Sequence, residues 1–343
     1  MSELTRRQLL QAGVGGLLAA SALPLMASAG GRSQAARLKL RFAVPVPTPL
    51  AQDLQLDLKT HRQLLKLYRQ AGAQAVLAVA STGEMLSITW PEALALTRQA
   101  SSVFGRGGTW ASLSRGTSVD TCRRGMQQLK AAGAGTAVVV PGLLAGASVS
   151  EDEAQRRLLA VAQGAPLRLG LYEAIAPFHR VLQPEQLQQL ATVGGYRLLK
   201  TTQASPEVVA AFAARVPPDF IIDEANTAEL FAVLQTGSAG IMDFCAAAFP
   251  ELLTFLCQQW GNSSDQNQLQ RVCAWIASTD AALSNELPFP RSVKVVLQQR
   301  GVPILPLSRQ AVNAFTPEQQ QRAADLVQQF EGLRRDLGIA SLI

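Results

Sequence analysis

Histidine and cysteine are scarce in this chain, two and four among 343 residues, and their placement excludes most metal chemistry. No C-x-x-C pair occurs, and neither His61 nor His179 lies near Cys122, Cys245, Cys257 or Cys273, so the spacing of a zinc site is missing. Charged residues make up only 16%, and nowhere do five or six like charges stand together. The formal charge of +6 therefore lacks the clustered basic patch that marks a nucleic-acid binder. No G-x-G-x-x-G follows a candidate strand, which removes the dinucleotide fingerprint. What is present, 48% hydrophobic residues with 26 Gly and 18 Pro, excludes a disordered or collagen-like chain. Lysine is scarce too: there are six, at 39, 59, 66, 130, 200 and 294, against 25 arginines.

Residues 1–29 have the parts of a secretory signal: a charged start, a soft apolar stretch from Ala12 to Met26, and the small-x-small end Ala27-Ser28-Ala29. Arg6-Arg7 after Thr5, followed by Leu9-Leu10, resembles the twin-arginine variety, which a receptor reads. The apolar stretch is shorter than the ~20 residues a spanning helix needs. The expectation is export, to the periplasm in a bacterium, with no stable membrane insertion once the signal is removed. Disulfides are chemically allowed there. Cys257 and Cys273 fall on neighbouring helical stretches and are able to pair, although buried free thiols account for them as well.

From residue 38 the chain alternates short apolar runs with amphipathic stretches. Strands are expected at Leu40–Val46, Ala75–Ala80, Thr109–Leu113, Thr136–Pro141, Leu167–Tyr172, Tyr196–Lys200, Phe220–Asp223 and Gly240–Phe244, with helical patterns between them. Continuously apolar strands belong to a parallel sheet covered on both faces. Glycines after helical stretches, at Gly72, Gly133 and Gly237, stop the helix and start the next strand. Eight such units predict an α/β fold, a (β/α)8 TIM barrel over 38–260, with residues 261–343 as a C-terminal helical extension packed on it. Its site would lie at the C-terminal ends of the strands.

Lys200 is the only lysine at such a strand end; Lys59, Lys66, Lys130 and Lys294 fall in helical patterns, where lysine is ordinarily solvated. A lysine in an apolar barrel mouth loses its charge more readily and becomes able to attack a ketone. Tyr172, one of three tyrosines, ends the neighbouring fifth strand, where its phenol is placed to shuttle protons. Ser81-Thr82-Gly83-Glu84 after the second strand offers hydroxyls and backbone amides to a carboxylate. Taken singly, each has a plain structural explanation: a snorkelling lysine, a packing tyrosine, a helix cap.

Together they match a pattern. Ser81-Thr82-Gly83-Glu84 with Leu86-Ser87-Ile88-Thr89 resembles the G-[TS]-[TS]-G-E…L-[ST] signature of the dihydrodipicolinate synthase and N-acetylneuraminate lyase family of class I aldolases. The resemblance continues through Val44-Pro45-Val46-Pro47-Thr48-Pro49, Gly170-Leu171-Tyr172, Leu198-Leu199-Lys200, Gly237–Met242 and Lys294 with Gly301, covering roughly 38–335. It implies a Schiff base between Lys200 and a pyruvate-like 2-oxo acid, a proton relay through Tyr172 and Ser81, and a carboxylate held by Thr82 and the amides around Gly83. It implies no cofactor and no metal. Family members are commonly tetramers, so it also implies a homo-oligomer.

The chain departs from the pattern in four places. Pro141-Gly142-Leu143 replaces P-Y-Y, removing a relay tyrosine that normally lies at a subunit contact. Tyr172-Glu173 replaces Y-N, and the following arginine comes late, as Arg180. Thr201-Thr202 follows Lys200 where an acid is usual, and the eighth strand's asparagine falls near Ala247. Glu173 and Arg180 are therefore expected to shape a different substrate pocket, whereas His179 is expected in a structural role and His61 on the surface. The expected activity is aldol cleavage or condensation of a 2-oxo acid, with a hydratase-aldolase or dehydratase using the same imine. The alternative is an impaired barrel that binds a 2-oxo acid or a protein partner.

Overall fold

The structure, a computed structural model, describes residues 39–193 and 195–343. The leader expected at 1–29 lies outside the described residues. Eight strands close a barrel in chain order: β1 (Arg41–Pro45), β2 (Ala75–Leu77), β3 (Thr109–Ser112), β4 (Thr136–Val139), β5 (Arg168–Tyr172), β6 (Tyr196–Thr201), β7 (Ile221–Glu224) and β8 (Gly240–Ile241). Neighbours are parallel all the way round, including β8 with β1, so the (β/α)8 barrel stands. Strands such as Thr136-Ala-Val-Val are buried at every residue, which is why they read as apolar runs rather than alternations.

Around the strands lie α1 (Leu58–Gln70), α2 (Trp90–Phe104), α3 (Val119–Ala131), the short α4 (Pro141–Leu144), α5 (Glu151–Ala162), α6 (Pro184–Thr192), α7 (Pro206–Arg215), α8 (Leu230–Gln235) and α9 (Phe244–Ala248). Their starts follow the capping chemistry in the sequence. Thr89 and Glu92 form a reciprocal capping box on α2, with Pro91 in the first turn. The helix exits at Gly72 and Gly133 have φ of 91° and 94°, a left-handed conformation that a residue with a Cβ rarely adopts.

Several local expectations change, among them the second strand, which ends at Leu77 rather than Ala80. The eighth strand was read through Phe244 but ends at Ile241, because the Asp243 carboxylate accepts from the Ala246 amide at 2.6 Å and begins α9. The fourth stops before Pro141, which opens α4. His61 is buried rather than on the surface: with Leu64, Leu65 and Tyr68 it occupies the i, i+3, i+4, i+7 face of α1 that packs inward. Its Nδ1 lies 2.5 Å from Gln99 Oε1 on α2, and burial holds the imidazole down to about 4, so it is neutral at physiological pH.

The chain continues through α10 (Pro250–Gln259), α11 (Gln266–Ala281), a π-helical turn (Ala282–Glu286), α12 (Arg291–Gln299) and α13 (Pro317–Asp336). These helices share one hydrophobic core with the barrel: Phe42 and Val76 belong to the same buried cluster as Leu252, Ile276, Val296 and Phe330. All four cysteines, Cys257 and Cys273 included, are free thiols. Among the described residues no helix is long and apolar enough to cross a membrane.

Candidate functional site

Strand register sets Tyr172 of β5 directly beside Lys200 of β6. Both side chains are buried, and Lys200 Nζ lies 4.5 Å from the centroid of the Tyr172 ring, close enough for a cation–π contact. The Tyr172 hydroxyl reaches to the loop after β2, where it is 2.9 Å from Ser81 Oγ. Residues 81, 172 and 200 thus meet at the C-terminal ends of the strands. Burial pushes the Lys200 ammonium down to about 8, opposed by the negative fields of Asp280, Asp243, Asp223 and Glu224. The Tyr172 phenol is raised by burial, and the bond to Ser81 partly counters this.

The loop carrying Ser81 and Thr82 is held from two sides. Thr48 Oγ1 donates to the Gly83 carbonyl at 2.7 Å, and a Cβ on Gly83 would lie 2.6 Å from the Val46 carbonyl oxygen, so only glycine fits. Glu84 has φ of 60°, strained for a residue with a side chain. Its carboxylate accepts from Lys294 Nζ at 2.7 Å, and from Ser308 Oγ and the Arg309 amide, each at 2.8 Å. Lys294 is therefore not a solvated helix lysine. It is fully buried on α12, where it ties the C-terminal segment to the β2 loop. Arg309 adds a two-pronged pair with Glu92 on α2, at 2.8 and 2.6 Å.

Glu173 and Arg180 are placed differently from the substrate-facing positions expected. Glu173 is fully buried; one oxygen accepts from the Leu182 amide and Gln203 Nε2, the other from Thr201 Oγ1 and the Thr202 amide. Glu173 on the β5 side thus bonds Thr201 and Thr202 on the β6 side, the two positions at which the resemblance has an amide and an acid instead. Arg180 gives Nε to the Ala145 carbonyl and Nη2 to those of Gly146 and Val149, and Nη1 pairs with Glu151. Its guanidinium clamps the loop after α4. His179 Nε2 lies 2.8 Å from Thr202 Oγ1.

Leu143 and the displaced arginine are linked as well. A Cβ on Gly142 would come 1.8 Å from the Phe178 carbonyl oxygen, so the 173–182 segment runs across the turn where the resemblance places P-Y-Y. Glycine is required where the pattern has its first tyrosine.

Sequence reasoning missed the acids around Lys200. Asp223, Glu224, Asp243 and Asp280 are all buried. Asp223 and Glu224 close a strand that begins Ile-Ile, and a charge ending an apolar run was the signal that picked out Lys200. Among the described residues no group of three or more His, Cys, Asp or Glu is arranged to hold a metal ion. A cleft of about 230 Å³ lined by Trp90, Arg115 and Arg124 contains none of these residues, so the chemistry rather than cleft size locates the candidate site.

Residues 39–330 match the Dihydrodipicolinate synthetase family. A 4-hydroxy-tetrahydrodipicolinate synthase of Moorella thermoacetica is 23% identical over 292 residues, 83% of this chain and 97% of the relative. Among solved structures, YagE, a prophage protein of E. coli K12 belonging to the dihydrodipicolinic acid synthase family and crystallised with pyruvate, superposes with a TM-score of 0.73 at 21% identity, covering 88% of this chain and 99% of its own. The 4-hydroxy-tetrahydrodipicolinate synthase of Methylacidiphilum fumariolicum SolV gives a TM-score of 0.76 at 16% identity, with 87% and 98% covered.

Proposed function

Because this chain belongs to the dihydrodipicolinate synthetase family of lyases, we propose that it makes or breaks a carbon–carbon bond beside the ketone of a pyruvate-like 2-oxo acid, through a Schiff base on Lys200. The observation that carries this reading is the convergence of Lys200, Tyr172 and Ser81 at the barrel mouth. With its ammonium depressed to about 8, Lys200 has about a tenth of its amine neutral at pH 7. That amine adds to the ketone carbon, and the resulting carbinolamine loses water to give an iminium. Tyr172, bonded to Ser81, supplies and removes the protons of both steps. The iminium then accepts the electron pair of the breaking bond as the aldehyde leaves, or the enamine donates it in the reverse direction. Thr82 and the amides around Gly83 hold the substrate carboxylate, while Glu173 and Arg180 act by fixing the loops after β5 and α4.

The test is sodium borohydride reduction with pyruvate, followed by peptide mapping. A reduced adduct on the Lys200 peptide is the expected result; no adduct, or one on another lysine, overturns the proposal. Leu143 and the crossing segment at Gly142 favour a second reading, a barrel that forms the imine without completing turnover. An adduct with no aldehyde consumed or released across a panel of aldol partners would select it.

Export is proposed on the sequence of residues 1–29. In a bacterial host with a twin-arginine pathway, the chain is expected in the periplasmic fraction, shortened by the leader. The Arg6→Lys, Arg7→Lys variant should stay in the cytoplasm at full length; equal export of both would sink the proposal.

A further inference from the structure

One lateral row of the barrel carries charges that the proposed chemistry does not use. Register places Lys200 beside Asp223, Asp223 beside Gly240, and Gly240 beside Arg41. Because barrel strands are staggered, this row descends from the mouth at β5 and β6 to the first residue of β1. Asp223 is fully buried, and neither carboxylate oxygen has a hydrogen-bond partner among the described residues. Gly240 makes its room: a Cβ there would sit 1.6 Å from Asp223 Oδ1, so the carboxylate lies over the glycine, toward the strand that carries Arg41. Arg41 Nε is likewise buried without a partner, and its guanidinium stacks 4.8 Å from the Trp110 ring centroid.

An unbonded buried carboxylate is costly and calls for a reason. The other acids near Lys200 have structural work. Asp280 on α11 accepts from the Phe244 and Cys245 amides and from Thr227, Asp243 at the β8–α9 junction caps α9, and Glu224 on β7 accepts from Ser238. Asp223 has none. Its surroundings in the row are Lys200 on one side and Arg41 on the other, and both favour its ionised form.

We propose that Asp223, kept ionised by Arg41, is a positioning residue that joins Asp280 as a counter-charge of Lys200 and helps hold it as an ammonium in the resting barrel. This rests on Lys200 being the reacting amine. The groups facing Lys200 are Tyr172 from β5, Asp223 and Glu224 from β7, Asp243, and Asp280 from α11, with Arg41 beyond Asp223. Burial raises the Asp223 carboxyl to about 6, while Lys200 titrates at about 8. Both are charged between those values. Removing the negative charge makes the ammonium less favourable, so Lys200 should lose its proton at lower pH. Removing Arg41 should act in the same direction by letting Asp223 take up a proton.

The test measures acetylation of Lys200 by trace acetic anhydride between pH 5.5 and 10 on the full chain, quantified by peptide mass, with no keto acid present. Asp223→Asn is expected to lower the midpoint by about one pH unit, or about fivefold more reactive amine at pH 7. Arg41→Met should lower it too, but should cause no further fall in the Asp223→Asn background, the coupling that a merely structural role would not produce. A midpoint moved by less than about 0.3 unit, about twofold, overturns the inference. Should Asp223→Asn fail to fold, Arg41→Met decides in the same way, and a Lys200 that never labels overturns the inference outright. Parallel pyruvate and borohydride trapping separates the two claims. Adduct formation with an unmoved midpoint defeats the role of Asp223 alone, and a moved midpoint without an adduct defeats the Schiff base alone.

Discussion

Replacing Lys200 by methionine is expected to leave a folded barrel with no borohydride-stable pyruvate adduct and with turnover lower by on the order of 10⁴ or more, because no other amine can take over the covalent step. Lys39, Lys59, Lys66 and Lys130 are exposed on the outside. Lys294 is buried and bound to Glu84 and the Leu307 carbonyl. Methionine fills most of the space that the lysine stem vacates, so the cavity penalty of an alanine substitution, about 2–5 kcal/mol, is largely avoided. The lost cation leaves Glu224, Asp243 and Asp280 without their positive neighbour, but burial already raises all three, so they accept protons rather than force the barrel open, and Asp223 keeps Arg41. The measurement is aldol turnover together with thermal unfolding. Turnover within tenfold of the parent, in a variant confirmed by mass, would remove Lys200 from the chemistry.

Much of the fold could be read from local patterns. The helical patterns expected between the strands fold as helices, α1 at Leu58–Gln70 and α7 at Pro206–Arg215 among them. Strands buried on both faces announced themselves as apolar runs, several of them following a glycine-terminated helix. The meeting of Lys200, Tyr172 and Ser81 was legible only as a motif, since 91 residues separate Ser81 from Tyr172 and nothing local brings them together. The partners of buried charges were not legible. Glu173 and Arg180 follow Tyr172 closely, which suggested a pocket. Their direction is set by the long-range crossing of Phe178 over Gly142 and by carbonyls in the loop at 145–149. Lys294 did leave a signal: it sits within Ser-Val-Lys-Val-Val-Leu, where every residue is buried, and a helix without a polar face there leaves its lysine no route to water. Asp223 left the same kind of signal at the end of β7.

Glu84→Gln is expected to cost about 3–5 kcal/mol of stability, the size found when one member of a buried ion pair is removed and the other stays buried without compensation. Both Glu84 and Lys294 are fully buried, at 2.7 Å, and burial already depresses the Lys294 ammonium while Glu84 supports it. In the glutamine variant that support is lost, and the Ser308 hydroxyl and the Arg309 amide face a weaker acceptor. Lys294→Met should cost a similar amount by leaving Glu84 without its cation. The paired variant, Glu84→Gln with Lys294→Met, should recover most of the loss, because desolvating two charges roughly offsets their attraction in the native pair. Denaturant midpoints of the four proteins give the comparison, and single variants that lose less than about 1 kcal/mol would show that the pair is not buried as described. The effect should also reach the chemistry. Glu84 holds a strained turn two residues after Thr82 and three after Ser81, and the strap at 307–309 keeps that turn against the barrel. Even in the stability-restored double variant, loosening of the strained turn should slow pyruvate trapping at Lys200, because Ser81 no longer fixes the Tyr172 hydroxyl as firmly.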